Sequence, residues 1–294
     1  MNTFATFFKD QIKTAVSISK VEKVITEQNV YQEGDANILK IFDGMIESLC
    51  LPGSGLSGLE NLEELLAKAE SGKACLLMVE HYTNFDLSVL SLLLRKAGGR
   101  GKDISDAIIA IAGMKLNEDN PVVAVFASAY TRIVIYPSRS LRHLDPENEK
   151  DKAEIARGAA INRAAMKTLI RHKYKGKLVL VFPSGTRYRS WDPETKRGIR
   201  EIDSYIRSFD YMCFVALNGE LLIVQKTDMA NDIVNKDIIR ITAGPVISCD
   251  EFRENARAAA AEDEDKKQAV ADAIMRELEK MHLAAEEERK KLLS

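Results

Sequence analysis

The chain has 294 residues, 46% of them hydrophobic and 29% charged, with a formal net charge of −2. That length buries one large core, or one core with a small accessory domain, and the composition is that of a globular protein and not of a disordered or fibrous one. No apolar run approaches the roughly eighteen residues a membrane-spanning helix needs. The start, Met1-Asn2-Thr3-Phe4-Ala5-Thr6-Phe7-Phe8-Lys9, lacks the basic onset and long apolar stretch of a signal peptide, so a cytoplasmic location is expected.

In chain order, residues 1–49 read as helical. Phe4, Phe7, Phe8, Ile12, Ala15 and Val16 follow helix spacing, and Asp35 is placed to cap a second helix over 36–49. Packing of this first apolar face inside a helical domain is expected, with peripheral contact at the inner membrane face as the alternative. Leu51-Pro52-Gly53-Ser54-Gly55 is a break, which places a domain boundary after residue 52. Residues 1–52 are then a helical domain and 53–294 an α/β domain. Ser57-Gly58-Leu59-Glu60 has the form of a capping box opening a helix that stops near Ser71-Gly72.

Beyond it the pattern alternates. Strand-length apolar runs occur at 74–79, 106–111, 132–136, 177–182, 212–217, 221–225 and 238–243, with helical stretches at 86–97, 120–129 and 150–173. Such alternation predicts an α/β fold, a mixed sheet with helices on both faces. Residues 251–292 are polar and predict one or two charged amphipathic helices packed on the outside.

Charge is unevenly spread. Residues 139–200 hold 16 Lys and Arg against 7 Asp and Glu, an excess of +9, which leaves 26 basic and 37 acidic residues, or −11, elsewhere. A basic middle points to an anionic partner, although part of it is also expected to be the solvated face of a long helix. The few aromatics there, Tyr174, Phe182, Tyr188 and Trp191, form no stacking ladder, so nucleic acid is not the expected partner. Cys50, Cys75, Cys213 and Cys249 and the four histidines make no metal-ligand spacing, so reduced core thiols, no metal and no cofactor are expected.

The sharpest local signal is Glu80-His81-Tyr82-Thr83-Asn84-Phe85-Asp86-Leu87. A five-residue step on one helix turns about 500°, leaving His81 and Asp86 roughly 140° apart. On one strand they fall on opposite faces. They meet only if the chain bends between them, and a strand ending at His81 with a helix opening at Asp86 supplies that bend. Ligand sites of open α/β sheets lie at such strand ends. A histidine accepts a proton near neutral pH, and a carboxylate on its other nitrogen fixes the tautomer. A solvent-facing histidine beside a helix-opening aspartate remains the alternative.

The second signal is Phe182-Pro183-Ser184-Gly185-Thr186-Arg187-Tyr188-Arg189, a loop after an apolar strand. Pro183 and Gly185 end the strand, with Ser184 and Thr186 shaping the turn. Arg187 and Arg189 present two forks suited to phosphate oxygens, the alternative being ion pairs with Asp192 or Glu194.

These motifs, in this order, resemble the H-x4-D glycerolipid acyltransferase superfamily, and most closely its soluble plastid-type glycerol-3-phosphate acyltransferases. Ile111-Ala112-Gly113-Met114-Lys115, Arg132-Ile133-Val134-Ile135-Tyr136-Pro137-Ser138-Arg139 and Asp192-Pro193-Glu194-Thr195 extend the likeness over roughly residues 75–220. The resemblance implies His81 as base, Asp86 as its orienter, and phosphate binding by Arg139, Arg187 and Arg189. It implies acyl transfer from acyl carrier protein or coenzyme A thioesters to glycerol 3-phosphate without an acyl-enzyme. Glu80 stands where the family commonly has asparagine, a carboxylate placed to perturb His81. Thr186 follows the membrane-bound branch, Ser184 the plastid branch, and Ser140 replaces a histidine of the basic cluster. A 1-acylglycerol-3-phosphate acceptor, or a non-catalytic phosphate or acyl-carrier binding protein, are the alternatives.

Overall fold

The most apolar runs of the sequence become neighbouring strands. β3 (Cys75–Val79) is buried at every position and pairs in parallel with β6 (Leu178–Val181) on one side and β7 (Tyr211–Asn218) on the other. Continuous apolarity is what a parallel strand covered on both faces requires. The computed structural model describes residues 2–22, 24–114, 116, 121–141 and 143–293, except the side chain of Arg139. It is a mixed α/β structure, and no described helix is long and apolar enough to cross a membrane.

The chain forms two compact units, one of residues 1–7, 43–108 and 173–294, the other of residues 8–42 and 109–172. These units do not follow a boundary after residue 52: the first 52 residues are divided between them.

In the first unit the sheet runs β6-β3-β7-β10-β2. β10 (Arg240–Ala243) is antiparallel to β7, β2 (Gly55–Ser57) is parallel to β10, and β11 (Ile247–Ser248) adds antiparallel pairing to β7. Side chains alternate along β7. Cys213 Sγ lies 3.8 Å from the Asn61 carbonyl on the helix Leu59–Glu70, whereas Asn218 Nδ2 donates to the His282 carbonyl on the helix Lys266–Leu293 at 3.0 Å. An odd and an even position reaching different helices means that helices cover both faces. β8 (Leu222–Ile223) and β9 (Ile233–Val234) form a separate antiparallel pair.

In the second unit, β5 (Arg132–Ile135) is parallel to β4 (Ile108–Gly113) and antiparallel to β1 (Tyr31–Gln32). The helix Glu149–His172 packs on β5. Asn162 on that helix accepts from the Tyr136 N–H at 2.8 Å and donates to its carbonyl at 3.0 Å, pinning the strand end. Asp35 Oδ1 accepts from Asn37 N–H at 2.8 Å, the expected cap of Ala36–Glu47.

Two elements differ from the sequence reading. The strand predicted at 106–111 begins at Ile108, because the helix Gly101–Ala107 takes its first residues. The capping box at Ser57 does not form: Gly58, at φ 78°, occupies the cap, and a Cβ there would stand 2.2 Å from the Ala243 carbonyl oxygen. Ser57 Oγ instead accepts from Arg240 at 2.7 Å. The C-terminal segment forms two helices, as expected; the second, Lys266–Leu293, packs on β7 and β10 and buries Val270, Ala271, Ile274 and Leu278.

Candidate active site

β3 and β6 are parallel and in register, Met78 opposite Val181, so both strands end at the same edge of the sheet. His81 leaves one strand end and Phe182 the other. Their rings stack, with centroids 4.0 Å apart and 14° between planes. Gly185, at φ 63°, turns the chain, and its N–H donates to the Phe182 carbonyl at 2.9 Å. A Cβ there would also press on Ile199 at 3.0 Å, so glycine suits both the backbone and the space. The turn brings the Tyr188 N–H to the His81 carbonyl oxygen at 2.8 Å. The two motifs singled out in the sequence therefore touch through a ring stack and a backbone hydrogen bond.

Asp86 opens the helix Asp86–Lys96. Its Oδ2 lies 2.9 Å from His81 Nδ1 and accepts from the N–H groups of Tyr82 at 2.6 Å and Thr83 at 2.9 Å. Its Oδ1 accepts from Thr83 Oγ1 at 2.8 Å. Four donors on a carboxylate only 7% exposed define the bend between the two residues and hold the ring. With Nδ1 donating to Asp86, Nε2 is the ring nitrogen left for a substrate. Behind the bend, Phe85 is buried and packs edge-on against Phe4 at 5.7 Å.

Glu80, flagged as a carboxylate placed to perturb His81, faces elsewhere. Its Oε2 lies 3.0 Å from His282 Nδ1 and accepts from the Leu217 N–H at 2.8 Å, and its Oε1 accepts from the Tyr82 hydroxyl at 2.9 Å. Adjacent residues at a strand end point to opposite sides, which separates Glu80 from His81. Burial opposes the charge of His282, but the hydrogen bond and charge of Glu80, with Glu279, outweigh it, so its pKa is raised. Burial and then Glu80 push the Tyr82 phenol far up, keeping it a donor. His282 was missed in the sequence. It sits in a charged helix far along the chain, and nothing local marks it.

The arginine loop is divided in its contacts. Arg187 Nη1 lies 3.3 Å from Asp232 Oδ2, whose side chain is 1% exposed. The partner is thus neither Asp192 nor Glu194. Burial raises the pKa of Asp232, while the Gln225 N–H and Arg187 pull it back. Arg189 is held by its backbone, its N–H donating to Thr195 Oγ1 at 2.8 Å, and its guanidinium has no ion pair among the described residues. Ser184 is buried and its hydroxyl donates to the Thr186 carbonyl at 2.7 Å. Pro183 is buried too, and its carbonyl accepts from Ile199 N–H at 2.9 Å. Arg139 falls in the helix Ser138–Leu141, and its side chain lies outside the described residues, as does Lys115.

A hollow at this edge is lined by His81, Tyr82, Ser184, Tyr188, Lys196 and Met275 among others. Among the described residues no nucleophilic side chain is paired with His81: the Ser184 hydroxyl is turned to the Thr186 carbonyl, and burial raises the Cys75 and Cys213 thiols to about 12. Among the described residues no three His, Cys, Asp or Glu side chains are gathered as metal ligands would be. What the arrangement offers is a histidine base oriented by a carboxylate, with cationic forks on an adjoining loop. Compared with known proteins, the chain matches no family model and no curated protein.

Proposed function

We propose that this chain is an acyltransferase that moves a fatty acyl group from an acyl carrier protein or coenzyme A thioester to the sn-1 hydroxyl of glycerol 3-phosphate. The observation that carries the reading is the Tyr188 N–H on the His81 carbonyl at 2.8 Å, which joins the base and the arginine loop at one edge of the sheet. A phosphorylated alcohol spans these two features: its phosphate takes the forks of Arg187 and Arg189, and its hydroxyl reaches His81.

His81 Nε2 removes the hydroxyl proton as the oxygen attacks the thioester carbonyl, and Asp86 stabilises the imidazolium formed. Collapse of the tetrahedral adduct breaks the C–S bond, and the imidazolium returns the proton to the departing thiolate. The ester C–O bond has formed, the thiol has left, and the histidine is neutral again. An oxyanion needs donors. The Thr83 N–H is committed to Asp86, whereas the Asn84 N–H has no partner among the described residues.

Ser184, which follows the plastid-type loop, favours the water-soluble acceptor. The test is thiol release from acyl-coenzyme A and acyl carrier protein thioester, with glycerol 3-phosphate or 1-acylglycerol 3-phosphate as acceptor below its micelle threshold. Release that requires glycerol 3-phosphate supports the reading. A tenfold preference for the lyso-lipid, about 1.4 kcal/mol, overturns the acceptor and leaves the reaction class.

A further inference from the structure

The helix Glu149–His172 carries its acids early and its cations throughout. Glu149, Asp151 and Glu154 stand in its first turns, and no Asp or Glu occurs from Ile155 to His172. Gly158, Ile161, Ala165 and Leu169 form its buried line. That leaves Arg163, Met166, Lys167, Ile170 and Arg171 exposed. At 100° per residue these five span roughly 140° of arc, and Arg163 to Arg171 covers about 12 Å of axis. Met166 is 49% exposed and Ile170 52%.

Nearer the start of the helix, two of the three cations have carboxylate partners. Lys152 pairs with Glu149 at 3.2 Å and Arg157 with Glu154 at 3.2 Å. The side chains of Arg163, Lys167 and Arg171 have no ion pair or hydrogen bond among the described residues. A helix face that meets only water normally mixes charge signs at i, i+4 spacing and does not expose two large apolar side chains.

We propose that this face docks on an anionic lipid membrane. The row of cations matches a plane of lipid phosphates, with long stems lying along the surface and charged heads reaching outward. Met166 and Ile170 flank that row on one side of the helix and enter the headgroup boundary, which gains from their burial. A free phosphate would need converging cations, and these stand in a line along a cylinder. An acidic protein helix would satisfy the cations but needs carboxylates in register with them, and gives the two apolar side chains no specific place. The surface stands independently of the acyl-transfer reading.

The experiment is co-sedimentation of the full chain with vesicles of phosphatidylcholine alone, or phosphatidylcholine mixed with phosphatidylglycerol. Binding to the mixed vesicles is expected, falling as salt shortens the Debye length from about 10 Å at 0.1 M. Each cation removed should weaken it about fivefold, so the Arg163→Glu/Lys167→Glu/Arg171→Glu variant should lose on the order of a hundredfold or more. Met166→Ser/Ile170→Ser should lose several-fold at every salt concentration. All five side chains are exposed, so both variants should keep the wild-type circular dichroism and melting temperature. No binding to mixed vesicles at low salt, or unchanged binding by the charge-reversed variant, overturns the proposal. Unchanged binding by the serine variant overturns the entry of Met166 and Ile170 into the headgroup boundary.

Discussion

The carbonyl oxygen of His81 accepts the backbone N–H of Tyr188 at 2.8 Å. The bond is backbone to backbone, so its position is set by where β3 and β6 end and not by side-chain choice. It ties the proposed base to a loop whose two arginines flank Tyr188, and changes in that loop should be felt as changes in where the acceptor hydroxyl sits.

Asp86 does more than orient a ring. Replacing it by alanine removes the acceptor for the Tyr82 and Thr83 N–H groups and the Thr83 hydroxyl at a site 7% exposed. Each buried donor left unmade costs about 1–3 kcal/mol. Asp86→Ala should therefore lower the melting temperature by several degrees as well as abolish transfer. Asp86→Asn keeps one acceptor oxygen and should melt closer to wild type while losing most of the rate. Equal melting of Asp86→Ala and wild type would contradict its role as acceptor for the bend.

Arg187 and Arg189 should separate. Arg187 is the counter-charge of buried Asp232, and leaving a buried charge unpaired costs about 3–5 kcal/mol. Arg187→Ala should thus be both unstable and poor in acceptor binding, and Arg187→Ala/Asp232→Asn should regain stability but not the acceptor KM. Arg189, with no ion pair among the described residues, should tolerate alanine with little loss of stability. Its acceptor KM should still rise roughly tenfold to a hundredfold, the worth of a charge-assisted hydrogen bond, with the donor KM unchanged. Equal effects on both substrates would remove Arg189 from the phosphate site.

The Glu80–His282 pair makes a pH prediction. The folded-state pKa of His282 is raised above its unfolded value, so its stabilising contribution is full below the unfolded value and is lost as pH rises through the folded one. Melting temperature should fall across that window, and His282→Gln should flatten this part of the profile. Glu279 and Glu286 on the same helix, Lys196 on the facing turn and Tyr82 surround the ring and are unchanged in the variant. A wild-type profile with no such fall, or an identical fall in His282→Gln, would refute the assignment.

What the sequence made legible were features with local causes. The apolar runs of β3, β6 and β7, the Asp35 cap and the Ala-rich helix Glu149–His172 all follow from patterning within one segment. So did the bend at His81 and Asp86, because neither a helix nor a strand lets those two side chains meet. What stayed hidden depends on distant chain. β2 is three residues inside a glycine-rich break and exists because β10 offers it an edge. Gly58 displaced the Ser57 cap because the Ala243 carbonyl stands against it. The partner of Glu80 lies on the last helix and that of Arg187 at Asp232, beyond any local pattern.

The most direct test of His81 as general base is acyl-ester formation by wild type and His81→Ala with glycerol 3-phosphate and an acyl thioester. The alanine side chain leaves Asp86 its Tyr82 and Thr83 donors, so the variant should fold. Wild type should form the ester, and His81→Ala should lose a factor of about 10²–10⁴ in kcat with little change in acceptor affinity. A folded His81→Ala protein that transfers at the wild-type rate, or a wild type that transfers from neither thioester, would contradict the account.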